Sequence, residues 1–567
     1  MKNADVIVIG AGGGGAVVAK ELAEKGIKVL VLEAGPWYGN KQWPKPNTDH
    51  GSVSSSDYED LSLSILKENF TDLEDDMNNF VTGKLRWGPA NREEGPWKRN
   101  FEGGGYAWQT AGVGGSTLHY YGNSPRAYPI AIDNKWPISY NDLVPYYEKV
   151  EATLPVLDAP STGKEDIFYY GAKNANWNLL TDRNVTEPGY RPQPNAILLR
   201  NHPMNIPNYD RETQGAYGCI FRGSCVNGCH IGPVVQAVAK RSTFVSYIPP
   251  ALSTGNVEVR PNAFVIKVLT EQDNNQNLRV VGVIYRNTWT GERVEVRAGA
   301  VVMAGGAIET PRLWLNSELP ENPWVGKGLI NHWFDCVTGI YEEKVLMDAI
   351  GRPDINPVIG QNAAARFDYP GLGVVETFGM TPGLYSSVIY SNSWKGFADR
   401  NKTDPNAPWD YEGAIVGERL KEFMKDYTRT LSLLIFTDDD VNQENEVTLD
   451  YERWDENGFL PKVRYHPSEN DAFRRDKLAV IAADILRKGG AKTIIRINWP
   501  SNIFIHIQCT MRMGYVTDSD CEAQQVKRLF IADNSVLYNA IGGPNPTLTT
   551  QALATRTAEK IVNKYFS

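Results

Sequence analysis

The sequence predicts an α/β protein: a doubly wound dinucleotide-binding domain assembled from discontinuous segments, beside a second domain of mostly antiparallel sheet with helices. Three observations lead there. Residues 5–33 read as strand, glycine turn, helix and strand, ending on an acid. Residues 298–317, AGAVVMAGGAIETPRLWLNS, repeat the order of buried strand, glycine turn and helix. From about 332 to 500 the texture changes to alternating, aromatic-rich runs. At 567 residues the chain exceeds what one core usually supports, which agrees with two large units.

The first element is a buried-type strand, Asp5–Ile9. GAGGGGAVVAKELAEKG follows as a glycine turn opening an amphipathic helix, and Lys28–Leu32 is a second strand. Gly10, Gly12 and Gly15 stand in G-x-G-x-x-G spacing. The first allows the tight turn, the second lets a pyrophosphate approach the backbone, and the third lets helix and strand pack closely. The helix N-terminus faces the phosphates. Glu33, 18 residues after Gly15, is placed to accept hydrogen bonds from ribose hydroxyls. A purely structural glycine turn is the weaker reading, because consecutive glycines would destabilise an ordinary helix start.

Residues 37–110 leave this pattern. They are rich in Trp, Pro, Asn and Asp, including Trp37, Trp43, Trp87, Trp97 and Trp108, and read as a long excursion over the surface or over a site. GVGGSTLHYYGNSPR (112–126) is a second glycine turn with one histidine, and 151–215 reads as irregular. Strands return at Val257–Arg260, Ala263–Leu269 and Val280–Tyr285. The runs Asp335–Tyr341 and Thr430–Phe436 suggest antiparallel sheet, and Asp471–Lys488 a helix with an acid in its first turn and bases in its last. Residues 418–425 read as a solvated helix face. LFIADNSVL (529–537) returns to a strand and turn of the nucleotide domain. The expected organisation is therefore 1–330 for the dinucleotide domain with its excursions, 331–500 for a substrate domain, and 501–567 returning to the first.

The formal net charge of −9 argues against nucleic acid or an anionic membrane surface as a main partner. No run has the apolar length of a transmembrane helix, and no signal peptide is evident at the start, so the expected location is cytoplasmic, with export alongside a signal-bearing subunit left open. Six cysteines do not make a disulfide framework in a chain this long.

Five ordered pieces carry a resemblance: the N-terminal βαβ, GVGGSTLH, AGGAIETPRLW, HIQCTMRMG, and FIADNSVL followed by GGPNPTLTTQALATRTAEKI. Together they resemble the glucose–methanol–choline (GMC) oxidoreductase family. The HIQCTMRMG, NPTLTTQALA and GVGGSTLH segments are similar to pyranose oxidases. The cysteine loop is similar to the large subunits of gluconate and sugar dehydrogenases. The resemblance implies FAD, bound by Gly10, Gly12, Gly15, Glu33, Gly114, Gly115, Ser116, His119, Val265, Asp533 and Asn545. It also implies a mechanism in which His506 takes the hydroxyl proton of an alcohol while the adjacent hydride goes to flavin N5. Asn545 matches the second active-site position and would orient the substrate oxygen or contact the flavin. The bland alternatives are a satisfied core histidine and a turn residue before Pro546.

The resemblance raises two further cofactor questions. His119 matches the histidine that bonds covalently to the flavin in pyranose oxidases; a packing histidine beside the ring is the alternative. Cys219, Cys225 and Cys229 resemble ligands of a 3Fe–4S cluster, with Gly223, Gly228 and Gly232 giving the backbone room to wrap it. That branch has a further Cys after the first, where this chain has Ile220. A loop without metal is the alternative, and His230 reads as a loop residue. His332 in LINHWF is expected to be structural. Trp394, Tyr385 and Tyr390 suggest an aromatic, polyol-binding substrate region. The implied function is FAD-dependent oxidation of a secondary or hemiacetal alcohol of a sugar, glycoside or sugar acid, with electrons passed through the cluster to a cytochrome or quinone and a small subunit as a further implied partner. The alternative is an O2-reducing pyranose or glycoside oxidase.

Overall fold

Two large sheets position the site. The computed structural model describes residues 4–35, 99–199, 239–288, 290–379 and 406–566, with residues 37, 218, 219, 221, 223, 225, 381–386, 390 and 393. The five-stranded sheet runs, edge to edge, Leu529–Ile531, Ala300–Met303, Val6–Ile9, Val29–Leu32 and Val257–Arg260, with every pairing parallel. Its three central strands are buried at every residue, as expected where both faces of a parallel sheet are covered. Helix Gly15–Ala23 packs on the first two strands and on the C-terminal helix Thr547–Tyr565. A three-stranded antiparallel sheet, Ala263–Gln272, Leu278–Asn287 and Arg293–Arg297, contacts Ala300–Met303. Strands drawn from residues 6 to 531 thus form one sheet, the discontinuous α/β arrangement predicted from the glycine turns.

The seven-stranded sheet has the order Tyr411–Glu412, Thr493–Arg496, Phe334–Ile340, Thr430–Thr437, Gly373–Phe378, Ala365–Tyr369, Gly189–Pro192. All its pairings are antiparallel except the first. Helix Glu469–Lys488 lies on strands Phe334–Ile340 and Thr430–Thr437. Its start is set by a capping box, in which Ser468 accepts from the backbone of Asp471 and the Asp471 carboxylate accepts from that of Ser468. The lysine- and glutamate-rich run forms helix Gly417–Lys425, which buries no residue completely.

Residues 151–199 correct the expectation of irregularity, while 200–215 lie outside the described residues. A second capping box, Thr162 with Glu165, starts helix Gly163–Asn174, which packs on Glu469–Lys488. Strand Gly189–Pro192 then takes the edge of the seven-stranded sheet, where Pro192 can sit without breaking an inner ladder. Proline and asparagine content concealed both elements. Of the tryptophans, Trp37 is buried, while Trp43, Trp87, Trp97 and Trp394 lie outside the described residues. No helix among the described residues is long and apolar enough to cross a membrane.

Candidate active site

The glycine turn after the first strand is built for close backbone contact. Gly10 has φ +100°, and a Cβ there would meet the Ala304 carbonyl oxygen at 2.4 Å. A Cβ on Gly14 would lie 1.6 Å from the oxygen of Ala532, and one on Gly15 2.0 Å from that of Gly10. The second turn meets the first directly: a Cβ on Gly115 (φ +53°) would come within 2.7 Å of the Gly12 Cα. Gly114, at φ +106°, precedes a short 3-10 turn over Gly115–Leu118, which His119 closes by donating its backbone N–H to Ser116. Two motifs about a hundred residues apart in sequence therefore form one cradle, and side chains are excluded where a dinucleotide backbone would pass.

Glu33 ties this cradle together. Its Oε2 accepts from Ala11 N at 2.7 Å, and its Oε1 accepts from Gly35 N and Gly112 N, each at 2.9 Å. Burial pushes its pKa up, against the lowering effect of these amides. The Ala34 backbone N–H contributes a further hydrogen bond, so four amides surround this one carboxylate. Asp533 is engaged to the same extent. Its Oδ2 accepts from Gly306 N (2.8 Å) and Thr310 Oγ1 (2.6 Å), and its Oδ1 from Ser535 N (2.8 Å) and the Ser535 hydroxyl. Its carboxylate shapes the wall, and a bound cofactor would meet the backbone around it.

A cavity of about 600 Å³ runs from this cradle to the seven-stranded sheet. It is lined by Gly10, Gly12, Glu33, Gly115, Ser116, His119, Val265 and Asp533, and at its far end by His506 and Asn545. Gly15 and Gly114 are not on its surface and act through packing. The far end is assembled across the whole chain. His506 follows the short strand Ile503–Phe504 and lies against Phe436, ring centroids 4.8 Å apart. Asn545 precedes helix Thr547–Tyr565, in a turn that rests on the sheet. There Gly543 has φ +102°, and a Cβ on it would meet Gly373 Cα at 2.7 Å.

Two layers behind these side chains were not legible as functional. His332 was expected to be structural, yet its Nδ1 is 3.1 Å from His506 Nδ1, with the rings at 85°. Burial lowers the pKa of both rings, that of His332 to about 3 and that of His506 well below the ordinary value, the latter also through His332. Behind Asn545 stands Glu376, almost wholly buried in strand Gly373–Phe378. It takes a hydrogen bond from the Asn545 side chain, one from Asn123 Nδ2 (2.9 Å), one from Arg366 (3.3 Å) and one from Gln193 (3.4 Å). Burial raises its pKa against the pull of Arg366. Because a carboxylate accepts, the Asn545 amide turns its NH2 to Glu376. Its Oδ1 is buried with no protein partner. The only hint in sequence was a single acid inside the apolar strand GVVETF.

Other expectations fare differently. Tyr385 and Tyr390 do not line the cavity: both are fully buried, edge to face at 5.1 Å, packed with Tyr427 and Phe423. Their rings gain more from the sheet core than from solvent. Cys219 is buried and Cys225 half-buried beside Ile197, Phe221 and Ala239. Phe221 N donates to Cys219 Sγ at 3.4 Å. Cys229, Gly228, His230 and Gly232 lie outside the described residues, and among those described no three His, Cys, Asp or Glu side chains are grouped to hold a metal ion.

Comparison with known proteins gives the same picture. Two GMC oxidoreductase profiles, N- and C-terminal, match residues 204–334 and 442–554, and an FAD binding domain profile matches 5–43. The chain is 27% identical to 2-methyl-1,2-propanediol dehydrogenase of Mycolicibacterium austroafricanum over 99% of its length and 95% of that protein. It is 27% identical to 6'''-hydroxyparomomycin C oxidase of Streptomyces lividus over 99% of this chain and 91% of that one. It is 25% identical to the fructose dehydrogenase large subunit of Gluconobacter japonicus, over 99% and 98%. Formate oxidase of Aspergillus oryzae shares the fold, with a TM-score of 0.61 at 13% identity over 99% of this chain and 98% of that one. The FAD binding domain match covers the first glycine turn and Glu33, and Gly10, Gly12 and Glu33 line the cavity.

Proposed function

Since the chain belongs to the GMC oxidoreductase family, we propose that it oxidises a secondary or hemiacetal alcohol of a sugar, glycoside or sugar acid. FAD, which the cradle of Gly10, Gly12, Glu33 and Gly115 would hold, would supply the acceptor for the hydride that leaves the alcohol carbon. His506 takes the hydroxyl proton, and Asn545 receives the substrate hydroxyl at its unpartnered Oδ1. One observation carries this reading: a neutral histidine and an amide oxygen without a protein partner line one cavity continuous with the dinucleotide cradle. A carbohydrate-like substrate is supported by relatives whose names specify fructose and an aminoglycoside. Electrons would leave to a cytochrome or quinone, with a small subunit as partner, as the similarity to a dehydrogenase large subunit suggests. Similarity of comparable strength to a paromomycin-type oxidase supports O2 as the alternative acceptor.

The test is anaerobic flavin reduction, followed by absorbance, against sugars, sugar acids, glycosides and simple diols. His506→Gln should keep its FAD and lose about 100-fold or more in reduction rate. Reduction at the wild-type rate would exclude His506 as the base. Reoxidation by O2 against a quinone analogue separates the two acceptors. Acid-denatured protein that stays yellow would establish the His119 linkage, and an iron and acid-labile sulfide assay decides whether Cys219, Cys225 and Cys229 hold a cluster.

A further inference from the structure

The contact between His332 and His506 joins Nδ1 to Nδ1 at 3.1 Å. Such a contact holds one proton: one ring donates and the other must offer a lone pair. The opposite pole of His332 decides which. Its Nε2 is 2.8 Å from the Ala540 carbonyl oxygen, a backbone group that only accepts and cannot turn. The hydrogen of neutral His332 therefore sits on Nε2. The Gln508 amide, 2.6 Å from the same nitrogen, must then present its oxygen there. That needs only a half-turn of an amide whose oxygen and nitrogen are assigned from the network, and its Oε1 makes no hydrogen bond in the opposite orientation. With Nε2 protonated, Nδ1 of His332 is the acceptor, so Nδ1 of His506 carries the hydrogen and Nε2 of His506 carries the lone pair.

We propose that His332 is a positioning residue that fixes the tautomer of His506, so that Nε2 is its proton-accepting nitrogen. The proposal rests on the reading of His506 as the base. Two observations support a dedicated arrangement. His332 is wholly buried, and it is held at φ +50°, a conformation that a side chain other than glycine adopts at a cost. Burial also keeps the ring neutral, as the chain of bonds requires. The family comparison does not supply this role, and no motif in LINHWF announces it.

The direct test is solid-state NMR of protein carrying 15N-labelled histidine, with the His506 signals assigned as those lost in His506→Gln. The expected result is a protonated, pyrrole-like Nδ1 and an unprotonated, pyridine-like Nε2; the reverse tautomer would overturn the proposal. Kinetics give the second arm. His332→Ala removes the acceptor and should slow flavin reduction by about 10- to 100-fold with KM little changed. His332→Asn, whose Oδ1 can stand where Nδ1 stood, should recover most of that loss. A wild-type rate in His332→Ala, or no recovery with asparagine, would also overturn it. The two failures are separable. A fast His506→Gln removes the base itself, whereas an essential His506 with its hydrogen on Nε2 removes only the role of His332.

Discussion

The two ends of the cavity are built on different principles. The cradle is made of backbone: Gly10, Gly14, Gly15 and Gly115 bring main chains to distances at which a methyl group would collide. The reactive end is made of side chains in layers, with His332 behind His506 and Glu376 behind Asn545. If the cavity works as proposed, binding depends on main chains packed too closely for a side chain, and chemistry on side chains held in orientation. Damage at the first end should therefore be all-or-none, and damage at the second graded.

The largest expected effect tests the first half of that contrast. Gly14→Val must push against the Ala532 carbonyl and should yield protein without FAD, read from the absorbance of the purified protein. Gly13→Ala is the control, because its Cβ would meet only the Thr117 methyl at an ordinary 3.5 Å, and it should retain FAD. If both variants kept FAD, the cradle would not work by exclusion.

The second prediction is graded. Asn545→Ala removes the amide oxygen and leaves Glu376 short of a donor. We expect FAD retention and a loss of about 10- to 100-fold in flavin reduction, the equivalent of about 1–3 kcal/mol for one buried hydrogen bond. Unchanged reduction would place the substrate oxygen elsewhere. Glu376→Gln keeps the shape but removes the charge facing Arg366. Leaving a buried charge uncompensated costs about 3 kcal/mol, and with Asp368 still beside Arg366 the loss of stability should fall short of that. Thermal denaturation should show that loss, while reduction falls less than in Asn545→Ala, since Asp368 still pairs with Arg366 at 2.7 Å.

The smallest effect is an absence of change with pH. In the role proposed for it His506 must be unprotonated, and burial beside His332 lowers its pKa well below 6.5. As pH falls, the folded protein therefore takes up this proton later than an ordinary histidine would. The limiting rate of flavin reduction should stay flat as pH falls through 6.5 and decline only in more acid solution. A decline centred at or above 6.5 would contradict the buried, neutral pair.

Legibility in the sequence followed the same divide. The strand, glycine turn and helix at 6–23 and the turn at 112–119 were readable because sterics around a glycine are local. His506 and Asn545 stood out only through their flanking motifs. Glu376 and His332 gave almost no local signal, because their significance comes from what lies across the sheet. The aromatic pair Tyr385 and Tyr390 misled for the same reason: composition cannot say whether a ring faces a cavity or a core. Proline content likewise hid strand Gly189–Pro192, whose edge position was set by its partner Ala365–Tyr369.

By itself, then, the sequence determined the α/β class, the glycine cradle and the motifs that single out His506 and Asn545, since each depends on residues within a turn or two of one another. Only the tertiary structure decided that Gly12 meets Gly115, that Asn545 directs its oxygen away from Glu376, and that His506 is paired with His332. Those relations depend on strands and turns hundreds of residues apart packing to within a hydrogen-bond length, and no local propensity encodes that distance.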